Sequence, residues 1–322
     1  MIKMLVALDG SGDYPSVQEC VDAIPAGPAD PVTILVKKGV YKEKLVIDKP
    51  FVTLMGENAK ETVLTYDDCA SKLLPGGEKM GTFGSYSTLI TGDGFRAENI
   101  TFENTAGQKG RAGQALAAYV DADKACFRNC RFLGYQDTLF TGPLPPDAGG
   151  SEGMKDMNRS PARKSRQFYD HCYLEGDVDF IFGSATAVFH QCEIFSKNRD
   201  KAINGYITAA STPESEKYGY VFMDCRLTGD AGPQSVYLGR PWRRYAKVAF
   251  LHCRMGDHII GVGWNNWRDS ERERTVSYAE YDSQGPGAKM EERATWSKIL
   301  TPAEAERYRL ENIFPGDNIW YK

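Results

Sequence analysis

One short unit recurs six times along the 322-residue chain. Its copies are "FRAENITF" (95–102), "CFRNCRF" (126–132), "FYDHCYL" (168–174), "VFHQCEI" (188–194), "VFMDCRL" (221–227) and "AFLHCRM" (249–255). Each centres on Asn, His, Gln or Asp, followed by Cys, any residue and an apolar residue; the first copy has Ile100 in place of the Cys. An aromatic residue usually stands three before the Cys: Phe127, Tyr169, Phe189, Phe222 and Phe250. The copies are 30, 42, 20, 33 and 28 residues apart, so the unit is constant and the loops between units are not.

Short strands with apolar residues at period two, repeated at irregular solenoid-like intervals, predict stacked coils. A propeller would repeat more evenly, at about 40 residues per blade. Helical periodicity is scarce, which argues against alternating β/α units. The pattern therefore predicts an all-β chain folded as a parallel β-helix over residues 1–322, a single domain. Cys130, Phe132 and their equivalents should form inward ladders, with the polar residue before each Cys at a bend. Cys126 shares that inward parity in this reading. Six of the eight cysteines fall in the repeats, where they read as small buried hydrophobes. Both ends read as caps. "YPSVQECVDAI" (14–24) places Val17, Cys20, Val21 and Ile24 on one helical face. "TPAEAERYRLENI" (301–313) opens with a capping box and a Pro at the first helical position.

The repeats also bring out two acids. Asp137 lies seven residues after Cys130, and Asp179 seven after Cys172. Coils in register would stack these carboxylates on neighbouring strands, about 4.8 Å apart. In "EGDVDFIFGS" (175–184), alternation turns Asp179 outward, opposite to Val178 and Phe180. A close carboxylate pair titrates as a unit, supplying one ionised group and one protonated group near neutral pH. A surface pair or a bound cation is the plainer alternative. Asp177 reads as a solvated acid at the strand end.

"VYLGRPWRRY" (236–245) is the other dense constellation, with Arg240 between Gly239 and Pro241 and Trp242 two residues on. An Arg beside a carboxylate holds it ionised and oriented. A Trp at a cleft edge offers an apolar face to a sugar ring. Other chemistries lack support. No Gly-x-Ser-x-Gly elbow and no His-Glu-x-x-His pair is present. The net charge of −4 gives no reason to expect nucleic-acid binding, and no apolar run of about 18 residues suggests a membrane span.

These segments together resemble the pectin methylesterases (pectinesterases). "DGSGDYPSVQECVDAIP" (9–25), "KKGVYKEKLVI" (37–47) and "YSTLITGDGFRAENITFENTAG" (86–107) are similar to that family's opening blocks. "GQALAAYV" (113–120), "GYQDTLF" (134–140), "VDFIFGSA" (178–185) and "YLGRPW" (237–242) are similar to its four active-site motifs. The resemblance implies a single-stranded right-handed parallel β-helix. It also implies hydrolysis of galacturonate methyl esters in pectin or methylated oligogalacturonides, with release of methanol. Asp179 would then be the nucleophile, and Asp137 the acid and later the base. Gln114 and Gln136 would hold the oxyanion, and Arg240 would bond Asp179. Thr88, Phe140, Phe182 and Trp242 would contact substrate. Neither a metal nor an organic cofactor is implied, and the oligomeric state is left open.

Two departures stand beside the resemblance. The segment 141–167, rich in Gly, Pro, Ser and charge, inserts roughly twenty residues and reads as a loop between the two acids. Its basic end, "RSPARKSR" (159–166), would attract a polyanion and the loop would wall the cleft. No secretory leader is visible at the start, so a cytoplasmic location is expected for the chain as given, or an extracellular one if a leader was removed. Two alternatives remain at this stage: another polyuronate-active β-helix enzyme (a lyase or glycoside hydrolase), and a non-catalytic carbohydrate-binding solenoid.

Overall fold

The computed structural model describes residues 2–25, 30–109, 113–144, 163–316 and 320–322. Among them, three sheets of eleven, seven and eight strands run the length of the molecule. The pairings between their strands are parallel throughout. The chain visits the sheets in turn. Ala125–Arg128, Arg131–Leu133 and Leu139–Thr141 form one coil, and Arg166–Asp170, Tyr173–Gly176 and Val178–Gly183 form the next. Each strand thus pairs with its equivalent one coil later, giving a right-handed parallel β-helix.

The repeated unit spans the corner between the eleven-stranded and eight-stranded sheets. Its polar residue takes a left-handed conformation in every copy: Asn99, Asn129, His171, Gln191, Asp224 and His252 have φ between +48° and +57°. Asn, Asp and His enter this region more readily than most residues. The left-handed residue also breaks strand alternation. The aromatic two before it and the Cys after it therefore both point inward. Phe127, Tyr169, Phe189, Phe222 and Phe250 stack with centroids 4.4–4.8 Å apart and planes within 12°. That spacing matches the separation of neighbouring strands. Cys130, Cys172, Cys192, Cys225 and Cys253 form the adjoining ladder as buried free thiols.

Cys126 corrects the inward reading. It is buried, but on the outer face of the eleven-stranded sheet, against Phe168, Val188 and the C-terminal residues Phe314 and Tyr321. The bend at Asn129 removes the parity that linked Cys126 to Cys130.

The helix Val17–Asp22 has Ser16 as its N-cap and buries Val17, Cys20 and Val21 in the solenoid core. At the other end Pro302–Ala305 carries the expected capping box with Thr301 and Glu304. It does not lead into a plug over the last coil. Leu300, Ile313, Phe314 and Tyr321 pack along the outer face of the eleven-stranded sheet. Arg96 and Arg128 fix this strap by donating to the carbonyls of Trp320 and Tyr321.

Residues 145–162 of the predicted loop lie outside the described residues. Two of its described basic residues, Arg163 and Arg166, are already engaged. Arg163 pairs with Asp93, and Arg166 makes two bonds to the Asp123 carboxylate.

Candidate active site

The seven-stranded sheet presents the site on its outer face. Leu139 pairs with Ile181, and that register carried two residues back sets Asp137 beside Asp179. The Asp137 N–H donates to the Val178 carbonyl at 3.0 Å, which locks the two turns together. Both acids are left-handed, Asp137 at φ +66° and Asp179 at φ +51°. Simple alternation therefore does not orient Asp179. The pairing with the next strand shifts register between Val178 and Ile181, and Phe180 and Ile181 both enter the core while Phe182 joins the outer aromatic cluster. Gly183 closes the strand at φ +125°, where an added Cβ would lie 2.1 Å from the Thr141 carbonyl oxygen. No other residue fits that approach.

Arg240 reaches Asp179 from the strand Val236–Pro241, two coils on. Its Nε donates to one carboxylate oxygen at 2.8 Å and a terminal nitrogen donates to the other at 2.5 Å. This bidentate fork is the strong form of charge-assisted hydrogen bond. The guanidinium carbon also lies 3.9 Å from the Tyr206 ring centroid and 3.8 Å from that of Trp267.

The environments of the two acids differ. Burial pushes Asp137 well above the usual carboxylate range, and the charge of Asp179 pushes it further, with Arg240 opposing. Burial also raises Asp179, but the hydrogen bonds and charge of Arg240 work against that rise. Of the pair, Asp137 thus retains the proton to higher pH. The sequence reading of Asp177 as a solvated acid is corrected. It is 8% exposed, accepts from the Val178 N–H and faces Arg199 Nε at 3.8 Å. Burial raises it too.

The cleft has a volume of about 350 Å³. Gln114, Gln136, Asp137, Asp179, Phe182, Arg240 and Trp242 all line it, so seven of the sequence-predicted residues come together there. Phe140 does not line it. It is fully buried one layer below, packed edge-on against Phe83, Tyr119 and Phe182. Thr88 is a clearer correction. It pairs with Leu45 and Ala118 on the core side of the sheet and is fully buried, so it does not reach substrate. A motif match fixes a position along a strand but not its face, and here Leu89 is the outward neighbour.

Thr82, Phe83, Ala209 and Trp267 line the cleft without having been predicted. The signal for Trp267 was present in "GVGWNNWRDS" (261–270), a turn-rich stretch with two Trp residues. Thr82 and Phe83 sit in a short 3₁₀ turn with no sequence mark of their own. Among the described residues, no group of three or more His, Cys, Asp or Glu side chains is placed to hold a metal ion. An ionised carboxylate beside a protonated one, with side-chain amides on the same cleft wall, suits nucleophilic attack on an ester followed by proton donation to the leaving alcohol.

Comparison with known proteins bears on the same chemistry. The pectinesterase family model matches residues 3–143 and 159–317. The chain is 39% identical over 310 residues to Pectinesterase 31 of Arabidopsis thaliana, covering 94% of this chain and 89% of that protein. A pectinesterase of Petunia integrifolia is 34% identical, with 98% and 80% covered. Among solved structures, pectin methylesterase from carrot superposes with a TM-score of 0.80 at 31% identity, covering 96% of this chain and 92% of that one. A pectin methylesterase in complex with a hexasaccharide gives a TM-score of 0.82 at 27% identity, covering 99% and 98%.

Proposed function

The chain belongs to the pectinesterase family and is a carboxylic ester hydrolase that removes methyl esters from pectin, and we propose that Asp179 is its nucleophile and Asp137 its acid and base. The observation that carries this reading is the asymmetry of the pair. Arg240 bonds both oxygens of Asp179, while burial and the neighbouring charge favour the protonated form of Asp137.

In the first half-reaction an Asp179 oxygen attacks the ester carbonyl of a galacturonate unit. The tetrahedral oxyanion is stabilised by amide N–H groups of Gln114 and Gln136. Collapse breaks the bond to the methoxy oxygen, which takes the proton of Asp137 and leaves as methanol. Asp179 is then joined to the sugar as an anhydride. In the second half-reaction Asp137, now ionised, takes a proton from water. The hydroxide attacks the same carbonyl, Asp179 leaves as carboxylate, and Asp137 is again protonated. Trp242 and Phe182 supply the apolar wall for the sugar.

The hexasaccharide bound by a structural relative supports a galacturonide chain, rather than a single sugar, as the occupant of this cleft. A polymeric substrate that cannot be taken up whole supports action outside the cell, which fractionation of activity would test. Among the described residues, no helix is long and apolar enough to cross a membrane. We read residues 1–322 as one domain, since the core is continuous from Val6 to Ala294. The decisive experiment is methanol release from methylated pectin. Release without new reducing ends or unsaturated products, abolished in Asp179→Ala, is expected. Reducing ends would instead mean glycosidic cleavage, and unsaturated products a lyase.

A further inference from the structure

The Arg240 guanidinium is held in its plane and on both faces. Asp179 takes two N–H groups in the plane. The Tyr206 and Trp267 rings each lie within 3.9 Å of the guanidinium carbon. Two rings that close must lie on opposite faces, because one face admits one ring at van der Waals contact. Each ring is itself supported. Tyr206 pairs in register with Tyr237 on the next strand, and their rings stack at 5.3 Å with planes 11° apart. Trp267 and Arg268 share a left-handed turn, both at φ +59°, with the Trp267 N–H donating to the Asn265 side chain at 2.8 Å. Consecutive left-handed residues other than Gly persist only where surrounding contacts over-determine them.

We propose that Tyr206 is a positioning residue: with Trp267 it clamps the Arg240 guanidinium, and so fixes the orientation of the Asp179 carboxylate. The inference rests on the proposed role of Asp179. A long Arg side chain has several rotors, and a fork to one carboxylate leaves it free to tilt about the line joining the two groups. Flat contacts on both faces remove that tilt. An aromatic ring also attracts the cation, so the clamp adds attraction as well as shape. A misplaced reacting group is costly because catalysis of this kind depends on near-attack geometry.

Tyr206 is the residue that separates positioning from substrate contact. Trp267 lines the cleft, and a change there would mix both effects. Tyr206 meets Arg240 from the other side and is not among the lining residues. The charged groups facing Asp179 are Arg240 from the strand Val236–Pro241, Asp137 from the preceding coil, and Asp177 two residues before it with Arg199 beside it.

The test compares Tyr206→Leu, Tyr206→Thr and Tyr206→Phe in methanol release across pH, with Asp179→Ala alongside. Thr suits a strand and has no π face, so it repeats the Leu test with different packing. Leu and Thr should each lower kcat by about tenfold with KM changed by less than about twofold. They should also move the acidic limb of kcat/KM upward by about half a pH unit or more, because a loosened Arg240 holds the ionised form of Asp179 less well. Phe should restore both rate and limb. A wild-type rate and limb in Leu and Thr would overturn the proposal. So would a loss confined to KM, which would make Tyr206 a sugar contact, or a lowered melting temperature with kcat and limb unchanged. Failure of Phe to restore would overturn it as well. Methanol release surviving in Asp179→Ala would instead strike the nucleophile assignment itself.

Discussion

Arg240 and Asp179 meet through two parallel N–H···O bonds, 2.8 and 2.5 Å long, across 61 positions of sequence. The pairing makes two neighbouring carboxylates unequal. Both are drawn toward the protonated form by burial, and for Asp179 the fork opposes that pull.

Arg240→Gln removes the fork and the charge together. Asp179 then rises, so a higher pH is needed to ionise it, and the acidic limb of kcat/KM moves up. Arg240 also holds Asp137 down, so the alkaline limb moves in the same direction. The whole bell shifts to higher pH, and kcat at the wild-type optimum falls by about 10²-fold or more. Arg240→Lys keeps the charge without the fork and should shift the bell less while losing a comparable rate. A downward shift of the acidic limb would contradict this account.

Asp137→Asn separates stability from activity. The folded pKa of Asp137 is raised, so its stabilising contribution is complete below the ordinary carboxylate value and is lost as pH rises through the folded value. Asn has no proton to lose. The variant should release no methanol, yet should be more stable than wild type at pH 8, with a smaller difference at pH 4. Melting temperatures at the two pH values check this; an equal difference at both would show that ionisation of Asp137 is not the cause.

Much of this arrangement is legible in sequence, for a physical reason. A β-helix repeats its strand environment every coil, so Phe127, Tyr169, Phe189, Phe222 and Phe250 meet the same neighbours and leave a pattern one chain reveals. The pairing of Asp137 with Asp179 follows from the same register. Part of what was misread lies in local backbone conformation. Left-handed residues at Asn129 and Asp179 reverse the alternation, which misdirects any reading of Cys126 and makes the outward turn of Asp179 right for the wrong reason. The contacts of Tyr206 and Trp267 with Arg240 were not legible in sequence because the three residues come from different coils. Asp177 looked solvated because its cover, including Arg199, is supplied by the following coil.

Away from the cleft, Glu280 and Arg293 form a buried ion pair near the last coils, with side chains 1% and 2% exposed. Arg293 Nε donates to Glu280 at 2.8 Å, and its terminal nitrogens donate to the Gly261 and Gly287 carbonyls, each at 2.8 Å. The guanidinium thus ties three loop segments together. Glu280→Ala leaves that cation buried without its counter-charge and should cost about 3–5 kcal/mol. The double variant Glu280→Leu with Arg293→Met should cost less than Glu280→Ala alone, since no unpaired charge remains. Urea unfolding of the three proteins gives the comparison, and a double variant weaker than the single one would refute the assignment.

The corner residues offer a test of backbone conformation that touches no buried contact. Gln191 is exposed at φ +52°, and its N–H donates to the Met223 carbonyl at 2.9 Å. An L-residue in this region carries a penalty of about 1–2 kcal/mol that Gly does not. Gly also loses more chain entropy on folding, by about 0.5–1 kcal/mol. The two effects nearly offset, so Gln191→Gly should be neutral or slightly stabilising. Gln191→Val adds a β-branched side chain to a left-handed residue and should destabilise by about 1 kcal/mol or more. Both variants keep the backbone donor and lie on the far side of the solenoid from Asp179, so methanol release at 25 °C should be unchanged in each. The order Gly at or above Gln, and Gln above Val, in melting temperature is expected; Val matching Gln would mean that the corner relaxes out of the left-handed region at no cost.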